Sequence, residues 1–141
     1  MVPVGTTENK QLVREIFEQG MNEKRADVFD RLLAEEYVNH DMPAPAPGPE
    51  GFRLVMQMFW GAFPDARVEI EGIVAEGDLV ATRGLFTGTH EAEFMGMPAS
   101  GAAIRVPYMD FWRIEDGRAR ENWVRLDMAT LMQQIGASPP E

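Results

Sequence analysis

The feature that most constrains this chain is an Asp-Gly pair, Asp116-Gly117, between two long runs of strand-forming residues. Such a pair is typical of a two-residue β-hairpin turn, because both central residues must adopt positive φ angles. It predicts a hairpin over residues 104–127 in which Glu115 lies opposite Arg118. The register of the whole hairpin then follows by counting back from the turn.

Alternation along the two strands divides the predicted hairpin into two faces. One face pairs residues across the strands as follows: Trp112 with Glu121, Asp110 with Trp123, Tyr108 with Arg125, and Val106 with Asp127. The other face is mostly apolar and carries Met109, Phe111, Val124 and Leu126. We expect the first face to point into a pocket, with Tyr108, Asp110, Trp123, Arg125 and Asp127 along it.

The rest of the chain supplies the elements that could cover that face. Hydrophobic periodicity predicts helices over about 8–21, 26–34 and 49–63, and a short final helix over 128–136. Strand patterns cover 37–40, 67–76 and 79–90, and Gly84 and Gly88 predict bends in the last of these. Helices followed by antiparallel strands predict an α+β domain over residues 7–136, with tails at 1–6 and 137–141.

Composition narrows the partners that we expect. The net charge of −10 disfavours nucleic acid and anionic membranes. The absence of cysteine excludes a thiol nucleophile and a disulfide, and it fits a reducing cytoplasm. No apolar run reaches membrane-spanning length. We expect a cytoplasmic protein with no nucleic-acid partner and no membrane partner.

Four stretches of the sequence carry a resemblance to a known family: NHD at 39–41, FPDARVEIEGIVAEGDLVATR at 63–83, GTHEAEFMGMPASG at 88–101, and FWRIEDGRARENWVRLDMATLMQQIG at 111–136. They resemble the SnoaL-like polyketide cyclases and related ester cyclases of the nuclear transport factor 2-like superfamily. The resemblance implies a cystatin-like cone of helices on a curved antiparallel sheet. It also implies an enzyme of lyase or isomerase type that closes a ring by intramolecular aldol condensation on a small apolar, polyketide-like carbonyl substrate, without metal or cofactor.

The same resemblance assigns roles to particular residues. It implies that Asp127, in a W-x-x-x-D spacing with Trp123, is the general acid/base, and that His40 and His90 bind substrate. Asp127 could instead be the N-cap of the final helix, which aspartate does well. Both histidines could equally be structural, and their spacing does not indicate a metal site.

Asp110 and Arg125 suggest an alternative chemistry. Cross-strand neighbours are within reach of long side chains, so Arg125 could bridge Asp110 and Asp127. Such an Asp–Arg–Asp cluster is similar to that of limonene-epoxide-hydrolase-like enzymes, in which one Asp activates water and the other protonates the epoxide. A structural ion-pair network, in a ligand-binding or dimerisation module without catalysis, is the other interpretation.

Aromatic and methionine side chains complete the candidate site. Tyr108 could donate to a developing oxyanion or be a core tyrosine. Trp60, Phe59, Trp123 and Met97 would suit a flat apolar ligand, although ordinary core packing explains them too. If helices cover the polar face of the hairpin, the apolar face needs other cover, which predicts a homodimer through the outer face of the sheet.

Overall fold

The computed structural model describes residues 5–136 and has the α+β architecture that the element order predicts. The tails at 1–4 and 137–141 lie outside the described residues, and residue 6 already belongs to the first helix. The elements in chain order are α1 (Thr6–Glu15), a π-helical segment (Ile16–Asn22), α2 (Ala26–Leu32), β1 (Leu33–Asn39), α3 (Gly48–Ala62), β2 (Arg67–Glu76), β3 (Leu79–Thr89), β4 (Ala103–Glu115), β5 (Arg118–Leu126) and α4 (Met128–Gln134).

The five strands form one sheet in the order β1-β5-β4-β3-β2, in which only β1 runs parallel to its neighbour, β5. Alternate residues of β4 are buried and exposed along nearly its whole length. This alternation is typical of a sheet with one face covered and the other open. The covering layer is helical: α1 contacts β2 and β3, and α3 contacts β1.

The buried side chains form two clusters between the helices and the sheet. The first cluster contains Phe17, Phe29, Tyr37 and Trp112. The second lies towards the end of the sheet where α4 packs, and includes Phe63 and Leu131. The space between the helices and the inward face of β3, β4 and β5 lies beside the first cluster.

Two glycines of β3 have different structural roles. The register of β2 shifts between Ile70 and Gly72, opposite Gly84, and a Cβ on Gly84 would lie 1.8 Å from the carbonyl oxygen of Glu69. The predicted bend at Gly84 is therefore a β-bulge that only glycine accommodates. No register shift accompanies Gly88; a Cβ there would come within 3.1 Å of Phe63, so it allows close packing instead.

The predicted hairpin turn is confirmed, but the predicted register beyond it is wrong. Asp116 and Gly117 have φ angles of 54° and 73°, and Glu115 pairs with Arg118. A bulge follows at once, because Ile114 pairs with Ala119 whereas Arg113 pairs with Glu121. The extra residue is Arg120, and it shifts every later pair by one position.

A one-residue shift exchanges the two faces of a strand. Tyr108 and Asp110 point inwards and Met109 and Phe111 outwards, as predicted. On β5, however, the inward residues are Asn122, Val124 and Leu126, and the outward residues are Trp123 and Arg125. Without the bulge, Arg125 would be turned towards an apolar interior, where an unpaired charge is costly.

Candidate functional site

The candidate site is a half-open cavity between the π-helical segment, α3 and the inward face of the sheet, with a volume of about 90 Å³. Its wall is mostly aromatic and aliphatic. The lining residues are Phe17, Met21, Asn22, Asn39, Met42, Phe52, Met56, Phe59, Trp60, Ala66, Arg67, Val68, Phe86, Tyr108, Asp110, Trp112, Asn122, Val124 and Leu126.

The π-helical segment is tied to the sheet beside this cavity. The Asn22 side chain donates to the carbonyl of Val68 at 2.9 Å and accepts from the Val68 amide at 2.8 Å. A π-helical turn contains one more residue than an α-helical turn and is often found at functional sites. Phe17 and Met21 of this segment both line the cavity.

Asp110 is the one carboxylate among the residues that line the cavity. It is 5% exposed. Its Oδ1 accepts a hydrogen bond from Thr82 Oγ1 at 2.5 Å, and its Oδ2 accepts from the indole Nε1 of Trp112 at 2.9 Å. Thr82 is the register partner of Asp110 on β3, so the antiparallel pairing of β3 and β4 positions the hydroxyl.

Burial governs the proton affinity of this carboxyl. Desolvation raises the pKa of Asp110 to about 7, although the hydrogen bonds from Thr82 and Trp112 act in the opposite direction. Burial disfavours the charged form, whereas a donor to the carboxylate favours it. A carboxyl with this pKa exists in both protonation states near neutral pH, which a general acid/base requires.

Tyr108 extends the cluster by one hydroxyl. Its OH lies 3.0 Å from Thr82 Oγ1. When Asp110 is ionised, Thr82 donates its single hydroxyl proton to the carboxylate, and the Tyr108 hydroxyl then donates to Thr82. Burial also raises the pKa of Tyr108, so its hydroxyl keeps its proton.

A second polar group in the cavity wall is built around Asn122. Its Oδ1 accepts from Tyr37 OH at 3.3 Å and from Asn39 Nδ2 at 3.2 Å, and its Nδ2 donates to the carbonyl of Phe111 at 3.0 Å. Asn39 and Asn122 both line the cavity. Tyr37 is buried, and desolvation raises the pKa of its hydroxyl.

Of the ten residues that the sequence predicted for the site, the structure brings four together in the cavity wall: Tyr108, Asp110, Trp60 and Phe59. The other six lie elsewhere in the described part of the chain.

The prediction that Asp127 points into the cone is wrong. Its Oδ1 accepts from the Thr130 amide at 3.1 Å and its Oδ2 from the Thr130 hydroxyl at 2.7 Å, so it is the N-cap of α4. These bonds, the hydroxyl first, lower the pKa of its exposed carboxyl. The capping interpretation of the sequence was the correct one for the position of this side chain.

The predicted Asp110–Arg125–Asp127 cluster does not form. Arg125 lies on the outer face of the sheet, its side chain is 78% exposed, and its guanidinium forms an ion pair with Asp41. That pairing lowers the pKa of Asp41. The arrangement that suggested epoxide hydrolysis is therefore absent among residues 5–136, because the bulge at Arg120 turns Arg125 outwards.

His40 and Trp123 also lie on the outer face and do not line the cavity. Their rings stack with centroids 4.9 Å apart and an interplanar angle of 16°. The Nε2 of His40 lies 3.2 Å from a carboxylate oxygen of Glu121. The prediction that both residues line the pocket is wrong: the bulge turns Trp123 outwards, and His40, just after β1, stacks on it.

Met97 belongs to the second buried cluster and His90 packs against Phe63 of that cluster, and neither residue lines the cavity. The Nδ1 of His90 accepts from the Ser100 amide at 3.2 Å and lies 2.9 Å from the Ser100 hydroxyl, so it fixes the loop after β3. Met97 lies in this loop and forms an isolated bridge with Phe94. The structure thus gives His90 a structural contact in place of the predicted substrate contact.

Four polar residues that line the cavity were missing from the predicted site: Asn22, Asn39, Arg67 and Asn122. Thr82, which donates to Asp110, was also missing. Thr82 could have been found from the pairing of the second and third long strands, which sets it opposite Asp110. Asn122 required knowledge of the bulge, which moves it to the inward face. Asn39 begins the NHD motif, but the partner of its side-chain nitrogen, Asn122, lies on β5, far along the chain.

Within residues 5–136, no group of three or more acidic or histidine side chains is arranged so that it could hold a metal ion. None of the helices in this part of the chain combines the length and the apolar character needed to cross a membrane.

The fold and this site define a protein of the nuclear transport factor 2-like class with a buried acid in the wall of an apolar cavity. The family model of SnoaL-like polyketide cyclases matches residues 11–135. The chain therefore belongs to the SnoaL-like polyketide cyclase family.

Characterised relatives and solved structures agree with this assignment. The aklanonic acid methyl ester cyclase DauD of Streptomyces sp. (strain C5) is 29% identical over 133 residues, which cover 92% of this chain and 82% of that protein. TsrD from Streptomyces laurentii superposes with a TM-score of 0.87 at 27% identity, over 96% of this chain and 99% of that one. IdmH from Streptomyces antibioticus, a proposed polyketide cyclase, superposes with a TM-score of 0.80 at 31% identity, over 91% and 98%.

Proposed function

We propose that this protein is a cyclase of isomerase or lyase type in which Asp110 is the general acid/base. The observation that carries the proposal is the environment of that carboxyl: it is buried in an apolar cavity, its pKa is raised to about 7, and two donors fix its orientation. Buried titratable groups with shifted pKa values in clefts are typical of functional sites.

The reaction that fits one such carboxyl is an intramolecular aldol ring closure. Ionised Asp110 takes a proton from the carbon next to a substrate carbonyl, which leaves an enolate. The enolate carbon attacks a second carbonyl carbon of the same molecule, so that one carbon–carbon bond forms and an alkoxide appears. Asp110 returns its proton to the alkoxide, and the product is an isomer of the substrate.

Hydrogen bonds position the carboxyl of Asp110 and involve Thr82, Tyr108 and Trp112. Thr82 and Trp112 donate to separate oxygens of Asp110 and hold its plane, and Tyr108 in turn fixes the hydroxyl of Thr82. Donors to the carboxylate keep the pKa from rising further, so that the ionised form remains available as a base.

The proposed substrate is an apolar, carbonyl-bearing molecule of the polyketide type. The cavity wall is aromatic and aliphatic apart from a few fixed polar groups. The cavity alone, at about 90 Å³, is smaller than the ~300 Å³ at which ligand pockets begin. A groove of about 400 Å³ beneath the proline-rich loop shares Asn39, Met42, Phe52 and Met56 with it, and an elongated substrate would occupy both.

The test uses two compounds. The first is aklanonic acid methyl ester, the compound in the name of the Streptomyces relative. The second is 2-tetralone, a bicyclic ketone whose exchange of α-protons in deuterated water is followed by NMR. We expect the wild-type protein to cyclise the ester or to accelerate the exchange, and Asp110→Asn to lower the rate about 10³-fold, within the range for loss of a general base.

The matched control is Asp127→Asn, because asparagine also caps a helix and the variant should fold normally. Its rate should stay within about twofold of wild type, since removal of a group outside the reacting centre removes no transition-state interaction. Equal losses in the two variants, or no acceleration of either reaction by the wild-type protein, would contradict the proposal and favour a non-catalytic ligand-binding module.

We also propose that two copies associate through the outer face of the sheet. Met109 and Phe111 are 64% and 52% exposed, and the Trp123 ring lies beside them with charged residues around it. An apolar patch with a polar rim is typical of a protein interface. Light scattering at micromolar concentration should give a dimer for the wild-type protein and a monomer for Phe111→Lys; a wild-type monomer would refute this association.

A further inference from the structure

We propose that the side-chain amides of Asn39 and Asn122 form an oxyanion-binding pair for the carbonyl whose α-proton Asp110 removes. This inference rests on the proposed function of Asp110, and it assigns a role to the second polar group in the cavity. The ligand class is a ketone or ester oxygen that becomes negatively charged as the enolate forms.

The orientation of the Asn122 amide is set by its partners. Its Nδ2 donates to the carbonyl of Phe111 at 3.0 Å, and a carbonyl can only accept. Its Oδ1 therefore faces Tyr37 OH and Asn39 Nδ2, both of which donate to it. With two donors on this oxygen, the acceptor capacity of the amide is used.

The orientation of the Asn39 amide is fixed in the same way. Its Oδ1 accepts from the backbone amides of Asp41 and Met42, both at 3.0 Å. Its nitrogen is therefore the end that meets Asn122, with Nδ2 donating to Oδ1 at 3.2 Å. The turn at the start of the proline-rich loop thus holds a side-chain donor at the cavity wall.

Each of these two nitrogens has one N–H left over. A primary amide carries two N–H donors, and each nitrogen makes a single hydrogen bond within residues 5–136. Asn122 is 2% exposed, so a free donor there is costly unless an acceptor meets it. Both oxygens are saturated, so the pair offers donors only and would select an acceptor such as a carbonyl oxygen.

The position of the pair suits an enolate. Asp110 pairs with Val124 across the hairpin, and Asn122 lies two residues from Val124 on the same face, as a diagonal neighbour. Such neighbours are about 7–8 Å apart. In an enolising complex, the base lies about 3 Å from the α-carbon and the donor lies about 3 Å from the carbonyl oxygen, so the distance from base to donor is similar.

Trp112 adjoins both polar groups and helps to fix their positions. It pairs with Asn122 across the hairpin and donates its indole N–H to Asp110. Its ring also stacks near Tyr37, which holds Asn122. Donors that are fixed before the reaction lose little free energy to reorganisation when charge develops, which is how oxyanion sites accelerate enolisation.

The experiment compares the binding of 2-tetralone with that of tetralin, which has the same skeleton without the carbonyl. Affinity is measured by calorimetry at pH 8. We expect the wild-type protein to bind the ketone about tenfold more tightly, as one or two hydrogen bonds would give. Asn39→Asp keeps the acceptor for the turn but replaces the donor by an ionised oxygen, and it should abolish the preference while tetralin still binds.

Asn122→Leu is the second variant, since leucine has the same branching at Cγ and no donor. It should also abolish the preference for the ketone, and α-proton exchange should fall about 10²-fold, as for loss of an oxyanion donor. The pH midpoint of the remaining exchange should stay at that of Asp110. Asp127→Asn is the control, because this residue caps α4 outside the cavity, and it should keep the preference.

The outcomes separate this inference from the proposed function. The inference is overturned if both asparagine variants keep the ketone preference. It is also overturned if Asp110→Asn is the one variant that loses this preference. If Asp110→Asn leaves the exchange rate unchanged while the asparagine variants lose the preference, the role of Asp110 fails and the carbonyl site stands. Loss of tetralin binding in Asn122→Leu indicates a collapsed cavity. In that case the inference is tested by whether Asn39→Asp loses the ketone preference.

Discussion

Asp110 and Asp127 lie on or beside the same hairpin, and their environments shift their carboxyl pKa values in opposite directions. Asp110 is buried in the cavity wall, and desolvation raises its pKa to about 7. Asp127 is exposed at the start of α4, and the hydroxyl and amide of Thr130 lower its pKa. The aspartate at the end of the last strand, to which the family resemblance assigned the catalytic role, is a helix cap, whereas the one inside β4 is a buried carboxyl with a pKa near neutrality.

The largest expected difference between the two aspartates is in the pH dependence of stability. The pKa of Asp110 is raised from 3.8 to about 7, so the folded protein holds its proton more tightly than the unfolded chain. The stabilisation is fully present below pH 3.8 and is lost as pH rises through about 7. At roughly 1.4 kcal/mol per pKa unit, the loss is about 4 kcal/mol.

Urea unfolding of wild type and Asp110→Asn at pH 4 and pH 8 measures this difference. The free energy of unfolding of the wild-type protein should fall relative to the variant by about that amount between the two values of pH. A constant difference between the two proteins would mean that Asp110 titrates normally, and the contrast with Asp127 would disappear.

The next effect sharpens the role of Thr82. Thr82→Val removes a hydroxyl that donates to Asp110 and leaves a side chain of similar shape. Because the hydrogen bond favours the ionised carboxylate, its loss should raise the pKa of Asp110 further. The midpoint of the pH–rate profile for α-proton exchange should move upwards by about one unit. An unchanged or lowered midpoint would show that another group is being titrated.

A smaller effect is expected at the exposed aspartate. Asp127→Ala removes the acceptor for the Thr130 amide and should lower the thermal midpoint, with the exchange rate at 25 °C unchanged. Its pKa is lowered, so this stabilisation is present above the ordinary pKa of Asp and is lost as pH falls through the folded value. Differential scanning calorimetry at pH 7 and pH 2 measures the thermal midpoint and its dependence on pH. A large loss of exchange rate in Asp127→Ala would indicate that Asp127 belongs to the active site.

The smallest effect is expected at Arg125. Its side chain is 78% exposed and pairs with Asp41 on the outer face, so Arg125→Ala should leave rate and stability close to wild type at moderate salt. The rate is measured by α-proton exchange and the stability by urea unfolding, both on one preparation. A loss of rate comparable with that of Asp110→Asn would support the predicted Asp–Arg–Asp chemistry against the orientation of β5 described above.

Much of the fold was predictable because its signals are local. The turn at Asp116-Gly117, the helix over 48–62 and the bend at Gly84 each depend on residues close together in the sequence. Family resemblance supplied the arrangement of these elements. The π-helical segment at Ile16–Asn22 was predicted only as part of an ordinary helix, because a single extra residue in a turn does not change the hydrophobic period enough to be read.

The candidate site was predicted in part, and its errors have one main source. Tyr108 and Asp110 precede the bulge and were placed correctly, whereas Trp123 and Arg125 follow it and were placed on the wrong face. Thr82 and Asn39 were missed because their partners are 28 and 83 residues away in the sequence. The pairing at the turn does not reveal the bulge that follows it, so the register beyond the bulge could not be predicted from the turn.

The sequence by itself determined the class of fold, the hairpin turn, and the presence of carboxyl, hydroxyl and amide groups on two adjacent strands. The tertiary structure alone decided which of them meet in the cavity. The physical reason is the bulge at Arg120: it turns Arg125 outwards and Asn122, Val124 and Leu126 inwards, so that the interior keeps a single carboxyl. The free energy that selects this register comes from keeping charge in water and apolar side chains out of it, a balance over the whole sheet that no local pattern contains.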